Sequence, residues 1–237
     1  MNAIELQGLR KTFGPLVAVD RVDLVVPAGT FCGLIGHNGA GKSTTLKMLM
    51  GLLQPTEGSV RLQGIDVFAD PQGARRHLGA VPEEPAVYEY LSAREFLEFI
   101  AEIREGGDVA RALEWTGLGK AADRLIREYS QGMRRKTALA AATLGDPSVL
   151  VLDEALNGLD PPSAARVKGL LREYVDSGKT VLLSTHVVET IQAVADRVVM
   201  LAHGRVVVDA QVAEIGSEGL EQLFLEKLQQ TRDAEDS

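Results

Sequence analysis

Cysteine occurs once in the 237 residues, at Cys32. A single thiol excludes disulfides within the chain and clustered thiolate metal sites. No apolar run approaches the roughly 18 residues of a membrane-spanning helix. The longest, 138–144 and 149–152, are parted by Gly145-Asp146-Pro147. The N-terminus does not read as a signal peptide, because Glu5 and Arg10 interrupt it and no long apolar core follows. Positive charge is not in excess. The formal net charge is -8, which argues against broad nonspecific nucleic-acid binding. The densest basic run, Arg134-Arg135-Lys136, reads as a solvated helix face or a neighbour of the site described below. Internal repeats and low-complexity tracts are also missing. The simplest expectation is a cytoplasmic chain with one large domain or two small ones.

What is present is alternation of strands and helices. Apolar, β-branched segments recur at 4–9, 22–26, 30–35, 59–62, 149–152, 180–184, 197–201 and 205–208. The interior ones are almost continuously apolar, as in a parallel sheet buried on both faces. Helical patterns cover 42–50, 161–175 and 187–195, so the class is α/β. Between residues 84 and 146 the strand signals stop. Segments 93–103, 109–116 and 131–144 read as helices separated by glycine-containing breaks, which predicts a helical subdomain inserted between two strands. A further helix is expected from Gly219, followed by a frayed polar end at 232–237.

Three segments carry chemistry. Gly36-His37-Asn38-Gly39-Ala40-Gly41-Lys42-Ser43 fits the phosphate-binding loop, a glycine, four free positions and Gly-Lys-Ser/Thr, and it lies between a strand and a helix. Its glycines let backbone N–H groups face phosphate oxygens, and the helix beginning near Thr44 presents its positive end to the same anion. Lys42 can reach the β and γ phosphates, and Ser43 offers a hydroxyl to Mg²⁺. His37 sits at a free position of the loop. Asp153 and Glu154 emerge at the C-terminal end of the apolar strand 149–152, the edge where ligands gather in open α/β sheets. Asp153 can hold Mg²⁺ through water, and Glu154 can orient or deprotonate an attacking water. His186 follows another buried strand and can bond a γ-phosphate or a carboxylate. Tyr129-Ser130-Gln131-Gly132-Met133 precedes a helix. It reads either as a plain cap with Ser130 at the N-cap or as a second phosphate-binding helix end used by a neighbouring molecule.

Taken in order, these segments resemble the ATP-binding cassette family, specifically the separate ATPase subunits of exporters that pair with ABC-2-type permeases. The resemblance covers residues 3–210. It implies a P-loop NTPase core with a mixed sheet, an N-terminal antiparallel β-subdomain and the inserted helical subdomain at about 84–146. A single nucleotide-binding domain is expected over 1–216, with 217–237 as a C-terminal helix and polar tail. In the resemblance 36–43 is the Walker A loop, 149–154 the Walker B strand, 129–133 the signature, 157–160 the D-loop and His186 the switch histidine. Phe13 falls where an aromatic ring stacks on adenine. The nucleotide-contacting set is then Phe13, Gly36, His37, Asn38, Gly39, Ala40, Gly41, Lys42, Ser43, Thr44, Glu83, Ser130, Gly132 and Asp160. Ser43, Glu83 and Asp153 attend Mg²⁺, and Lys42, Glu154 and His186 are catalytic.

The chain departs from the family pattern at Gln131, where a glycine is usual, at Glu83, where a glutamine is usual, and at Ala155-Leu156, where Pro-Thr is usual. The resemblance further implies MgATP hydrolysis between two head-to-tail cassettes, coupled to export through a separate membrane permease. The protein would then lie peripherally on the cytoplasmic face of the membrane and make no direct contact with nucleic acid. Tyr88 and Tyr90 are expected in the groove facing the permease, and Phe96 and Phe99 in the core of the helical subdomain. The competing expectations are a non-transport ATPase of the same fold acting on nucleic acid or a macromolecular complex, and a regulatory ATP-binding module without turnover. A second cassette and a long coiled-coil insertion, which the non-transport relatives use, are not visible in the sequence.

Overall fold

The computed structural model describes residues 1–215 and 219–233. The expected boundary at 216/217 and the last four residues of the polar tail lie outside the described residues. Two sheets form the scaffold. The first is antiparallel, in the order β2 (Leu16–Pro27), β1 (Asn2–Phe13), β4 (Glu57–Leu62) and β5 (Ile65–Asp66). The second has the order β10 (Arg205–Gln211), β9 (Arg197–Ala202), β3 (Phe31–Ile35), β8 (Thr180–Thr185), β7 (Val149–Asp153) and β6 (Leu78–Val81). Its neighbours from β9 to β6 are parallel, and only β10 runs antiparallel.

Every residue of β3, β7 and β8 is buried, which is why these strands carry no polar alternation. Successive side chains point to opposite faces. Phe31, Ile35, Leu150, Leu152, Val181 and Leu183 join a core shared with the helices. Cys32, Leu34, Val149, Val151 and Leu182 join a second core shared with the antiparallel sheet and α1 (Lys42–Leu49). Burial of this order contributes about 1.5–3 kcal/mol for each large apolar side chain. The same burial pushes the Cys32 thiol up to about 12, so the lone cysteine is a packing residue.

The helical region contains α3 (Ala93–Ile103), α4 (Val109–Thr116) and α5 (Gln131–Thr143), with two short 3-10 turns between α4 and α5. Their starts follow from the sequence. Ser92 and Glu95 make a reciprocal capping box, with Ser92 N–H donating to Glu95 Oε2 at 2.8 Å and Glu95 N–H to Ser92 Oγ at 3.2 Å. Asp108 caps α4, and Gly117 ends it at φ 59°. The remaining helices are α2 (Pro71–Arg76), α6 (Pro161–Asp176), α7 (Val188–Val194), α8 (Val212–Ile215) and α9 (Gly219–Asp233).

Three details differ from the sequence expectation. Strand β6 and helix α2 lack a clear periodic signal, being four and six residues long. Helix α9 includes residues 232 and 233, expected to fray, and its Leu220 and Phe224 pack on the main core. Phe99 is 39% exposed rather than buried, while Phe96 is in the core. Phe99 instead meets Tyr88 edge-on, with ring centroids 5.5 Å apart.

Candidate nucleotide site

Strand β3 delivers the chain into the loop 36–43, and α1 leaves it. Gly36 packs so closely that an added Cβ would stand 2.5 Å from the Leu201 carbonyl oxygen. Gly41, at φ 99°, is the N-cap of α1, and no side chain caps that helix. The first N–H groups of α1 therefore face outward as an anion site. The hairpin between β9 and β10 braces the loop: Gly204 N–H donates to the Ala40 carbonyl at 3.0 Å, and Asp20 N–H to the Gly204 carbonyl at 2.9 Å.

A cavity of about 680 Å³ opens beside this loop. Residues 38–44 form its floor, Phe13 and Leu16–Ala18 one wall, and Glu83, Glu154, His203 and Gly204 the rest. Phe13 is half exposed, with the Lys11 ammonium 5.3 Å from its ring centroid. It is therefore free to stack on a planar base beside a positive charge. Gly36 and His37 stand behind the floor. The Gly36 carbonyl accepts from Lys42 Nζ at 2.7 Å, and His37 Nδ1 lies 2.7 Å from the Asn38 carbonyl.

Lys42 is buried, and its Nζ lies 3.9 Å from Glu154 Oε1. Burial pulls the ammonium below the usual lysine range, and the carboxylates of Glu154, Asp153 and Glu83 oppose that shift. A polyanion in the cavity would add to the stabilisation of its charged form.

The two acids end β7. In the parallel register Asp153 lies opposite Ser184 of β8. Ser184 Oγ donates to Asp153 Oδ1 at 2.5 Å, and Glu154 N–H points at Ser184 Oγ at 3.1 Å. Asp153 Oδ2 is buried and has no hydrogen-bond partner. Such an atom is costly unless a cation or its water meets it. Glu154 has φ 47°, a left-handed conformation that costs about 1–3 kcal/mol away from glycine and concentrates at functional sites. Its Oε1 lies 3.2 Å from His186 Nδ1, and its Oε2 accepts from Asn157 Nδ2 at 2.9 Å. The structure thus gathers Lys42 and His186 on Glu154 Oε1, with Asp153 next to Glu154 at the end of β7, and Lys42 and Glu154 line the cavity.

Three of the remaining sequence candidates lie elsewhere. Ser130 is the N-cap of α5, its Oγ accepting from Met133 N–H at 3.3 Å. Gly132 packs on the Gly158 carbonyl, 3.1 Å from an ideal Cβ. Asp160 caps α6 by accepting from Ser163 N–H at 2.9 Å and from Ser163 Oγ at 2.8 Å. Ser130, Gly132 and Asp160 do not line the nucleotide cavity. Glu83 does, and it also lines a second cavity of about 690 Å³ with Gln131, Arg134, Arg135 and Asn157. Sequence reasoning missed Ser184, the Asn157 side chain and His203. For Ser184 a signal existed, a hydroxyl inside an otherwise apolar strand; for the others only the fold brings them in.

A phosphate loop on a buried parallel sheet, with paired acids on the next strand but one, defines a P-loop nucleoside triphosphatase. Comparison with known proteins narrows this. The profile of the family described as ABC transporter matches residues 19–157. The daunorubicin/doxorubicin resistance ATP-binding protein DrrA of Streptomyces peucetius is 41% identical over 91% of this chain and 67% of its own length. The bacitracin transport ATP-binding protein BcrA of Enterococcus faecalis is 35% identical over 90% of this chain and 70% of its own. A solved ATP-binding subunit of an ABC transporter superposes with a TM-score of 0.85 at 29% identity, covering 94% of this chain and 98% of that one. The chain belongs to the ABC transporter family, as an ATP-binding subunit with ATPase activity.

Proposed function

We propose that this subunit binds MgATP in the cavity beside residues 36–44 and hydrolyses it at a head-to-tail interface between two cassettes, driving export through a separate permease. The observation that carries the nucleotide chemistry is Asp153 Oδ2, buried and unpartnered beside the Lys42–Glu154–His186 cluster. An oxygen-only donor set of the Ser43 hydroxyl, the Asp153 carboxylate and the Glu83 carboxylate suits Mg²⁺. When bound, Mg²⁺ neutralises charge on the β and γ phosphates.

In this reading Phe13 stacks on adenine and the amides of residues 38–44 cradle the phosphates. Lys42 leaves its resting partners, the Gly36 and His37 carbonyls, for the phosphoryl oxygens. Glu154 takes a proton from the attacking water, and His186 orients the carboxylate from its Nδ1 side. Ser130 and Gly132 of the second cassette close over the γ-phosphate. A serine hydroxyl can keep accepting from Met133 N–H while donating its own proton to phosphate, so its cap and its interface role coexist. Closure excludes water and strengthens each electrostatic contact.

Export and a membrane partner are supported by the relatives, which are transport and drug-resistance ATP-binding proteins. Tyr88 and Tyr90 are 58% and 79% exposed on the helical region beside the second cavity. An exposed aromatic pair of this kind suits a protein partner. Among the described residues no helix is long and apolar enough to cross a membrane. In this reading the permease is a separate polypeptide, as the relatives' description as transport and drug-resistance ATP-binding proteins supports, and this subunit is held at the cytoplasmic face through it.

The test is specific activity against protein concentration, for the purified chain and for the complex recovered from membranes. Specific activity should rise with concentration for the free chain and plateau once dimers form. Full-rate turnover by a strictly monomeric preparation would overturn the shared-site reading.

A further inference from the structure

Arg135 is the hub of a connection between the helical region and the acidic corner of the cavity. It lies in the second turn of α5, five residues past the Ser130 cap. Its guanidinium forks: Nη2 donates to the Glu83 carbonyl at 2.8 Å, and Nη1 donates to the Asn157 carbonyl. Residue 83 follows β6 and residue 157 follows β7, and these two strands are parallel neighbours. One side chain of the helical region thus holds both loops that leave the sheet edge.

The connection continues from Asn157, whose Nδ2 donates to Glu154 Oε2 at 2.9 Å. The other oxygen of the same carboxylate faces His186 and Lys42. Glu154 departs from strand geometry, at φ 47°, so the direction of its side chain is set by the groups that grip it. Oε1 is held from the nucleotide side and Oε2 from the helical side.

We infer that Asn157 and Arg135 are positioning residues for Glu154, transmitting the placement of the helical region to the carboxylate that activates water. The inference rests on the proposed role of Glu154. Neither residue needs to touch nucleotide. A guanidinium can span two carbonyls at fixed spacing where an ammonium cannot, so lysine at 135 keeps the charge and loses the fork.

The test is steady-state ATPase kinetics of the full chain carrying Asn157→Ala, Arg135→Met, Arg135→Lys, the Asn157→Ala/Arg135→Met pair, and Glu154→Gln as reference. Asn157→Ala should lower kcat about tenfold and Arg135→Met about fivefold, with KM for ATP within about twofold in each. The double variant should be no slower than Asn157→Ala alone, because both changes release one chain of contacts. Arg135→Lys should resemble Arg135→Met, and it replaces Arg135→Met in the comparison if the methionine variant does not fold. Unchanged kcat in Asn157→Ala, losses that multiply in the double variant, or a rise in KM without a fall in kcat would each overturn the inference while leaving the ATPase reading intact. Wild-type turnover in Glu154→Gln would overturn the role of Glu154 and this inference with it.

Discussion

The start of α1 and the start of α5 differ in one respect that explains how each is used. Both offer a helix N-terminus with a glycine close by, Gly41 at the N-cap of α1 and Gly132 in the first turn of α5. Helix α1 has Gly41 at its N-cap and no side-chain cap, and a buried lysine stands beside it. Helix α5 has a serine cap that is satisfied within the chain. The first is assembled for an anion and incomplete without one. The second is complete as local structure, and in the proposed function it meets a ligand only when another molecule approaches. A parallel difference separates the acids. Asp153 carries a buried oxygen without a partner, whereas both oxygens of Asp160 are engaged by Ser163. One half of the proposed site stores its cost in unsatisfied groups and a strained backbone, and the other half stores none. In the proposed arrangement two copies complement each other, the preorganised half of one receiving its lid from the capped half of the other.

The sharpest break of that contrast is Glu154→Gln, which should reduce turnover by about 10²–10⁴ while retaining ATP and favouring the closed dimer. Single-turnover hydrolysis and size-exclusion chromatography with ATP read both effects. Lys42→Ala should weaken ATP binding by about 10- to 100-fold, the equivalent of a lost charged hydrogen bond of about 1.5–3 kcal/mol, as read by titration calorimetry. At α5 two substitutions separate the cap from the interface. Ser130→Ala should cost about 1 kcal/mol of stability and also lower kcat. Ser130→Asp should restore thermal stability but not kcat, because a carboxylate caps well yet repels phosphate. If Ser130→Asp recovers activity, the second helix end does not face the γ-phosphate.

The smallest effect is expected at Asp160. The Ser163 backbone N–H, and next its hydroxyl, hold the Asp160 carboxyl below the usual 3.8. A lowered folded pKa means a contribution present above the unfolded value and lost as pH falls through the folded one. Asp160→Asn keeps a good cap. It should leave stability at neutral pH nearly unchanged and flatten the acid limb below about pH 4, as read by thermal melts across pH.

Much of the molecule was legible because its signals are local. Continuous apolar strands, the loop 36–43 and the cap at Ser130 depend on residues within a few positions of each other. What was missed is short or long-range. Strand β6 is four residues long and contains Gly79, where a Cβ would stand 2.0 Å from the Ala142 carbonyl. Its place depends on packing beneath α5 and on pairing with β7. Phe99 reads as core by hydrophobicity, but the helix turns it outward toward Tyr88. Ser184 contacts Asp153 only because two strands separated by α6 lie in parallel register.

By itself the sequence determined the kind of chemistry: backbone amides, a lysine, two acids and a histidine are sufficient, through residue type and spacing, to specify phosphate handling. The tertiary structure decided which groups hold which. It left Asp153 Oδ2 without a partner and placed Glu154 between His186 and Asn157. It also let Arg135 reach two loops 74 residues apart (157 − 83). The reason is physical. Charge and hydrogen-bonding capacity belong to a residue, whereas burial, register and the identity of a partner belong to the packed chain.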